Sequence, residues 1–257
     1  MSARSLLMTV LGEFVLPSGE PAWTSDLLAV LNGSGVEEKS ARQALSRMAA
    51  DGWIAAEREG RRVRWRLTDQ GRTMLSEGAQ RIYSFGRERT RWDGRWLTVL
   101  ATVPESRREL RHRLRTRLTW AGFGSPTPGV WVSPHASREA EAKQIVEGLG
   151  VDAFSFCGPY AGIGSERTLV EQAWHLGEVA AGYERFIADF AGLRPGPDEV
   201  LQAQIRLVHE WRRFPMLDPQ LPLELLPPQW IGLRAANVFA DLHRVWHAQA
   251  QERWTYS

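Results

Sequence analysis

The chain has 257 residues, 43% hydrophobic and 24% charged, a balance that excludes wholesale disorder. No run approaches the roughly 18–20 apolar residues of a membrane span, and the single cysteine, Cys157, excludes an internal disulfide or a cysteine-based zinc site and suits a reducing cytoplasm. The net charge of +2 conceals a basic front, 21 basic against 14 acidic side chains over residues 1–117, and an acidic back, 11 against 16 over residues 118–257. Leu6, Leu7, Val10, Leu11, Phe14 and Val15 recur on one helical face, so the N-terminus reads as a folded helix, not a signal peptide. Glu13 interrupts its apolar run, and Pro17, Gly19 and Pro21 stop it. Thr24 is expected to cap a second helix, buried through Leu27, Leu28, Val30 and Leu31 and ended by Asn32-Gly33-Ser34-Gly35. A third helix, roughly Glu37–Ala50, turns Val36, Ala41, Leu45, Met48 and Ala49 inward and leaves Lys39, Ser40, Arg42, Gln43, Ser46 and Arg47 outside. Gly52 suits its left-handed end.

Trp53, Ile54 and Ala56 then open a strand, Glu59-Gly60 turns it, and Val63, Trp65 and Leu67 alternate with Arg62, Arg64 and Arg66. Period-two alternation around a glycine turn predicts a hairpin, with Trp53 and Trp65 in its core. Three helices followed by a hairpin predict a winged helix-turn-helix over residues 1–85, with the third helix in the major groove of double-stranded DNA. Lys39, Ser40, Arg42, Gln43 and Arg47 are the candidate groove contacts, because Arg reads guanine and Gln reads adenine. Arg61, Arg62 and Arg64 on the wing are candidates for phosphate, which fixes register. The competing reading pairs Arg42 or Arg47 with Glu38 or Asp51 and leaves Arg66 a solvated strand residue. Thr68-Asp69-Gln70-Gly71 predicts a cap into another helix through about Phe85, followed by the polar link RERTRWDGRW.

Residues 92–160 alternate strand and helix. WLTVLATVP (Trp96–Pro104) reads as a buried strand, and Glu105-Ser106 as the cap of a helix carrying Leu110, Leu114, Leu118 and Phe123. Residues 129–134 form a second strand, Ser137 caps a helix ended by Gly150, and VDAFSFCG is a third strand. The pattern fits a ferredoxin-like domain, so the chain as a whole is α+β. The helix bearing Arg107, Arg108, Arg111, Arg113, Arg115 and Arg117 is either a second anion surface or a solvated face paired with acids of the back half.

Residues 161–257 read as a helical domain. Ser165 caps a helix running through Phe190, Asp198 or Glu199 starts another through Trp211, and a final helix begins near Arg234. The proline-rich stretch 212–232 reads as an extended loop. His243 and His247 share a helix face, but Arg244 stands where the HExxH arrangement needs Glu, so no metal site is expected. No GxSxG, Walker or dinucleotide-loop sequence is present, and no enzyme activity is expected. A metal-dependent nuclease is the alternative, because the centre resembles CRISPR-associated nucleases of the Cas2 type. Those nucleases depend on an Asp at the end of the first strand, and here that strand ends Ala101-Thr102-Val103.

The order of parts and two motifs resemble one family. KSARQALSRMAADGWIAAEREGRRVRWRLTDQG looks like the DNA-binding unit of PaaX-type transcriptional repressors, the regulators of phenylacetate degradation. The tail carries Trp211-Arg212-Arg213-Phe214, Asp218-Pro219-Gln220-Leu221-Pro222 and Leu225-Leu226-Pro227-Pro228-Gln229-Trp230, similar to that family's C-terminal signature. The resemblance implies a winged helix, a Cas2-like centre and a helical C-terminal domain. It also implies a homodimer on a partly palindromic operator of a catabolic operon, relieved by an aryl-acyl-CoA such as phenylacetyl-CoA, with no catalytic cofactor. An acyl-CoA thioester has a phosphate end and an apolar end. Arg212 and Arg213 beside Trp211 and Phe214 offer it charge next to aromatic surface, unless they pair with Asp218 or Glu224 and pin the proline-rich loop.

Overall fold

Ser2 starts the first helix, its hydroxyl accepting from the Ser5 N–H at 3.2 Å. The structure, a computed structural model, describes residues 2–86 and 91–255, so the expected polar link at Arg87–Thr90 lies outside the described residues. Helix α1 (Ala3–Val10) widens into a π turn over Leu11–Val15, closes with one α turn over Leu16–Ser18, and ends on Gly19 at φ 72°. All six apolar positions of the expected face are buried, and Glu13 is buried among them at 2% exposure.

A short strand that periodicity does not reveal follows. β1 (Ala22–Trp23) pairs antiparallel with β3 (Arg62–Leu67), which also pairs with β2 (Ile54–Glu59), giving a three-stranded sheet in the order β1-β3-β2. Helix α2 (Thr24–Gly33) begins at Thr24, but the hydroxyl does not cap it. It donates to the Val63 carbonyl at 2.8 Å and accepts from the Trp65 indole N–H at 2.9 Å, so it is consumed in tying α2 to the hairpin. Helix α3 (Glu38–Ala50) buries Ala41, Ala44, Leu45 and Met48, and Gly52 follows at φ 75°. The hairpin turns on Gly60 at φ 61°, a conformation open to glycine without steric cost.

Helix α4 (Asp69–Ser84) starts as its sequence predicts, with the Thr68 hydroxyl accepting from the Gly71 N–H at 3.0 Å. Gly71 is also a packing requirement, because a Cβ there would overlap the carbonyl of Trp53 at the mouth of the hairpin. Gly71→Ala should therefore destabilise the protein by about 1–3 kcal/mol, the range for overpacking. Gly78→Ala, on the same helix with open space around it, should be neutral or stabilising by up to about 1 kcal/mol. Urea midpoints of the two variants check the contrast.

The described chain forms two compact units, and the expected C-terminal segment 161–257 is divided between them. The first comprises residues 1–85, 185–213 and 234–257. Within it α9 (Val200–Trp211) reaches the front helices, with Gln202 donating to the Val30 carbonyl and accepting from Ser34. The last helix, α10 (Ile231–Thr255), begins slightly before Arg234 and stacks Trp254 on Phe14 at 5.4 Å.

The second unit comprises residues 86–184 and 214–233. Its sheet holds β4 (Arg95–Ala101), β5 (Gly124–Thr127), β6 (Val130–Ser133) and β7 (Ala153–Pro159) in the order β5-β6-β4-β7, every neighbour antiparallel. β5 is additional to the three strands expected, and β4 ends at Ala101, before Thr102–Pro104. Helices α5 (Arg108–Trp120) and α6 (Glu139–Leu149) lie between the strands in sequence, and Leu97, Val99, Leu114, Leu118, Phe123 and Trp131 fill the core. Neither starts on an expected side-chain cap: Arg107 and Arg138 occupy the cap positions, and Ser137 lies in a 3-10 turn. Ser165 does cap α7 (Glu166–Ala173), but the helix breaks at Trp174-His175 before α8 (Leu176–Phe190), where one continuous helix was expected. The proline-rich stretch is not wholly extended, since it contains a helical turn at Phe214–Leu217 and a 3-10 turn at Leu223–Leu225. Tyr183 anchors it, donating to Asp218 Oδ2 at 2.7 Å and stacking on Phe214 at 4.2 Å.

Candidate nucleic-acid interface

Helix α3 is two-faced because its small and aliphatic residues recur at helical spacing. Ala41, Ala44, Leu45 and Met48 are core, and the six intervening residues Lys39, Ser40, Arg42, Gln43, Ser46 and Arg47 are all exposed. Lys39 and Arg47 form no ion pair among the described residues. Arg42 pairs with Glu38 at 2.8 Å, one of the two partners the sequence offered. Asp51 is taken by Arg4 instead, at 2.6 Å. Both members of the Arg42–Glu38 pair are more than half exposed, and such pairs are worth at most about 1 kcal/mol, so a phosphate or base edge can displace the glutamate. The structure thus gathers the five expected groove contacts on one open face.

The hairpin holds its arginines in three different ways. Arg61, at the turn, is exposed without an ion pair among the described residues. Arg62 lays its guanidinium 4.0 Å over the Trp23 ring, a contact that depends on the unforeseen strand β1. Arg64 bonds Glu57 at 3.1 Å and Glu59 at 3.3 Å, and Arg66 joins Glu57 at 2.9 Å, so the wing is a cross-strand charge ladder with only some of its cations free. Trp65 is partly buried, as expected of the hairpin core. The sequence reading passed over Arg4, which lies 4.7 Å over the Trp53 ring.

The four residues considered for an effector do not share an open surface. Trp211 has no exposure, packing on Phe239 at 4.7 Å and donating its indole N–H to the Ile82 carbonyl at 3.3 Å. Arg212 donates to the Ser5 carbonyl at 2.8 Å and to Thr9 Oγ1 at 2.9 Å. Phe214 is buried against Tyr183. Arg213 alone is exposed, and it pairs with Glu210 at 3.0 Å, not with Asp218 or Glu224.

Thr9 also faces His209 Nδ1 at 2.9 Å. Burial, and after it the nearby Arg212, lowers the His209 pKa from 6.5 to about 4, against a weaker pull upward from Glu210; Arg213 adds to the lowering. The folded state then holds fewer protons than the unfolded one, so His209 makes stability fall as pH drops from about 6.5 toward about 4. His209→Gln should flatten the melting temperature over that window relative to the parent, which a pH series of thermal melts reads directly.

The arginine-rich helix α5 keeps Arg108, Arg113, Arg115 and Arg117 exposed, and none of these four has an ion pair among the described residues. Arg111 bonds Glu105 locally. The expectation that this face pairs with back-half acids is not met. Strand β4 carries no carboxylate along its length, which leaves the nuclease alternative without its strand-end acid.

One polar cluster escaped the sequence reading. Glu13 meets His243 and His247, the pair set aside for want of an adjacent glutamate. The available signal was a single acid inside an otherwise apolar helix face.

Three family models match the chain: a PaaX-like protein over residues 2–71, a PaaX protein central Cas2-like domain over 89–170, and a PaaX-like protein C-terminal domain over 174–256. The transcriptional repressor PaaX of Escherichia coli strain K12 is 31% identical, across 95% of this chain and 80% of that one. Among solved structures, an uncharacterized protein of Mycobacterium tuberculosis superposes with a TM-score of 0.63, covering 96% of this chain and 97% of its own, at 23% identity, a likeness of fold alone.

Proposed function

The chain belongs to the PaaX family of transcriptional repressors, and on that premise we propose that it represses transcription by binding a DNA operator through α3 and the β2–β3 hairpin. The observation that carries this reading is the outer face of α3, where Lys39, Ser40, Arg42, Gln43 and Arg47 are all exposed on a helix whose other face is core. The order helix, strand, helix, helix, hairpin supports a winged helix-turn-helix, with the hairpin as the wing. The sheet order of the second unit supports a ferredoxin-like reading of the Cas2-like centre, here without catalysis. A homodimer on a partly palindromic operator follows from the same reading. No helix among the described residues is long and apolar enough to cross a membrane, in keeping with a protein that works on DNA in the cytoplasm.

Fluorescence anisotropy with a fragment of the chain's own promoter region and an unrelated duplex tests the reading. A repressor binds its operator about 10³-fold or more tighter than non-specific DNA, whereas equal affinities at physiological salt would reject it.

The effector is proposed to be an aryl-acyl-CoA, phenylacetyl-CoA first, and the operon one of aromatic-acid catabolism. Arg213, the one exposed residue of the 211–214 segment, is the proposed contact. Thermal melts against a panel of acyl-CoAs and free acids test it, since a ligand at 100 times its Kd stabilises by about 2.7 kcal/mol. A response unchanged in Arg213→Ala removes this segment from the proposal.

A further inference from the structure

We propose that Glu13, His243 and His247 bind a divalent first-row transition ion, zinc first, that links α1 to α10. The geometry starts from the π turn, since a local widening of the helix re-aims side chains and such turns concentrate at functional sites. Here it directs a carboxylate into the interior of the first unit, where Glu13 is buried and both histidines are only partly exposed. His243 Nε2 lies 3.0 Å from Glu13 Oε1 and His247 Nδ1 lies 3.1 Å from the same oxygen. All three ligand atoms fall within 4.8 Å of one another.

The two Glu13–histidine separations are those a metal requires. Two ligands each about 2.0–2.1 Å from a common zinc ion, 90–110° apart, stand about 2.9–3.4 Å from each other. Two imidazoles and one carboxylate are a donor set suited to zinc, and partly exposed histidines leave a way in for the ion and a place for water.

The surroundings hold the carboxylate as an outer shell would. Tyr83 donates to Glu13 Oε2, Gln204 Nε2 donates to Oε1 at 2.7 Å, and Gln251 donates to the Glu13 carbonyl at 2.8 Å. His243 and His247 stack at 4.9 Å, and His243 also contacts the rings of Tyr83 and Phe239, which orients the pair. Gln204 has no exposed surface, so its N–H donation to Oε1 fixes the carboxylate inside the core.

Cobalt(II) titrated into the full-length, chelator-treated protein provides the test. The expected result is one equivalent bound, with the intense visible absorption of a four- or five-coordinate site, bleached by zinc. His247→Gln changes a half-exposed residue and should fold; it should weaken binding beyond the roughly 10–100-fold typical of losing an outer-shell partner, and abolish any zinc-dependent rise in melting temperature. A spectrum that stays that of the hydrated cobalt ion with the unmodified protein would overturn the proposal without recourse to any variant. Bands retained by the folded His243→Gln/His247→Gln protein would overturn it equally.

Discussion

Trp211→Ala is expected to cost roughly 3–5 kcal/mol of stability, the range for deleting a buried aromatic ring. Trp211 is the largest fully buried side chain and sits in an aromatic cluster. It stacks on Phe239 at 4.7 Å, meets Phe186 at 5.3 Å, and touches Phe85 edge-on at 5.7 Å. Its N–H satisfies the Ile82 carbonyl, so truncation leaves both a cavity and an unpaired acceptor. Trp211→Phe keeps most of the ring area and should lose less than half as much. Arg213→Ala, which breaks only an exposed pair with Glu210, should cost no more than about 1 kcal/mol. Urea denaturation followed by circular dichroism ranks the three. A Trp211→Ala protein within about 1 kcal/mol of the parent, but with an altered acyl-CoA response, would return Trp211 from the core to a ligand surface.

Trp211 is a core residue, where its arginine neighbours in the sequence suggested a ligand surface. Trp211 follows Leu207 and Val208 at helical spacing, a pattern that serves a core position, while the neighbouring arginines drew it toward an anionic ligand. Arginine beside tryptophan is ambiguous because the long Arg stem can itself be buried when backbone acceptors receive its guanidinium, as the Ser5 carbonyl receives Arg212. Those acceptors lie some two hundred residues away, where no local pattern can show them.

Local physics made the front legible. The 3.6-residue period of α1 to α3 and the two-residue period around Gly60 each repeat often enough to identify their elements, and the exposed face of α3 follows from its buried one. β1 has two residues, too few for any period, and exists only because Ala22 and Trp23 find Trp65 and Arg64 across the sheet. The expected cap failed at Thr24 for a related reason. Its hydroxyl is claimed by tertiary partners, the Val63 carbonyl and the Trp65 indole. Glu13 was visible as an anomaly, but its meaning depended on His243 and His247 arriving from α10.

Arg42→Ala and Arg62→Ala should separate base reading from backbone holding. Removing a groove contact costs about 1–3 kcal/mol on the operator and little on unrelated DNA, so Arg42→Ala should lower both affinity and sequence preference. Arg62→Ala should weaken all duplexes alike and reduce the slope of log K against log salt by about 1, the loss of one phosphate contact. Each has a structural complication that sharpens the expectation. Arg42 must release Glu38 to reach DNA, so Glu38→Gln should tighten operator binding while Arg42 is present and have no such effect once Arg42 is gone. Arg62 rests on Trp23, so its deletion also frees that ring, and the paired test is Arg61→Ala, whose side chain is exposed and makes no ring contact among the described residues. Equal losses in slope for Arg61→Ala and Arg62→Ala would place both on phosphate. A loss of slope at Arg62 alone would place only Arg62 on phosphate, a loss of affinity there with the slope unchanged would trace the effect to the packing of β1 against the wing, and unchanged binding in Arg42→Ala and Arg62→Ala together would remove α3 and the hairpin from the interface.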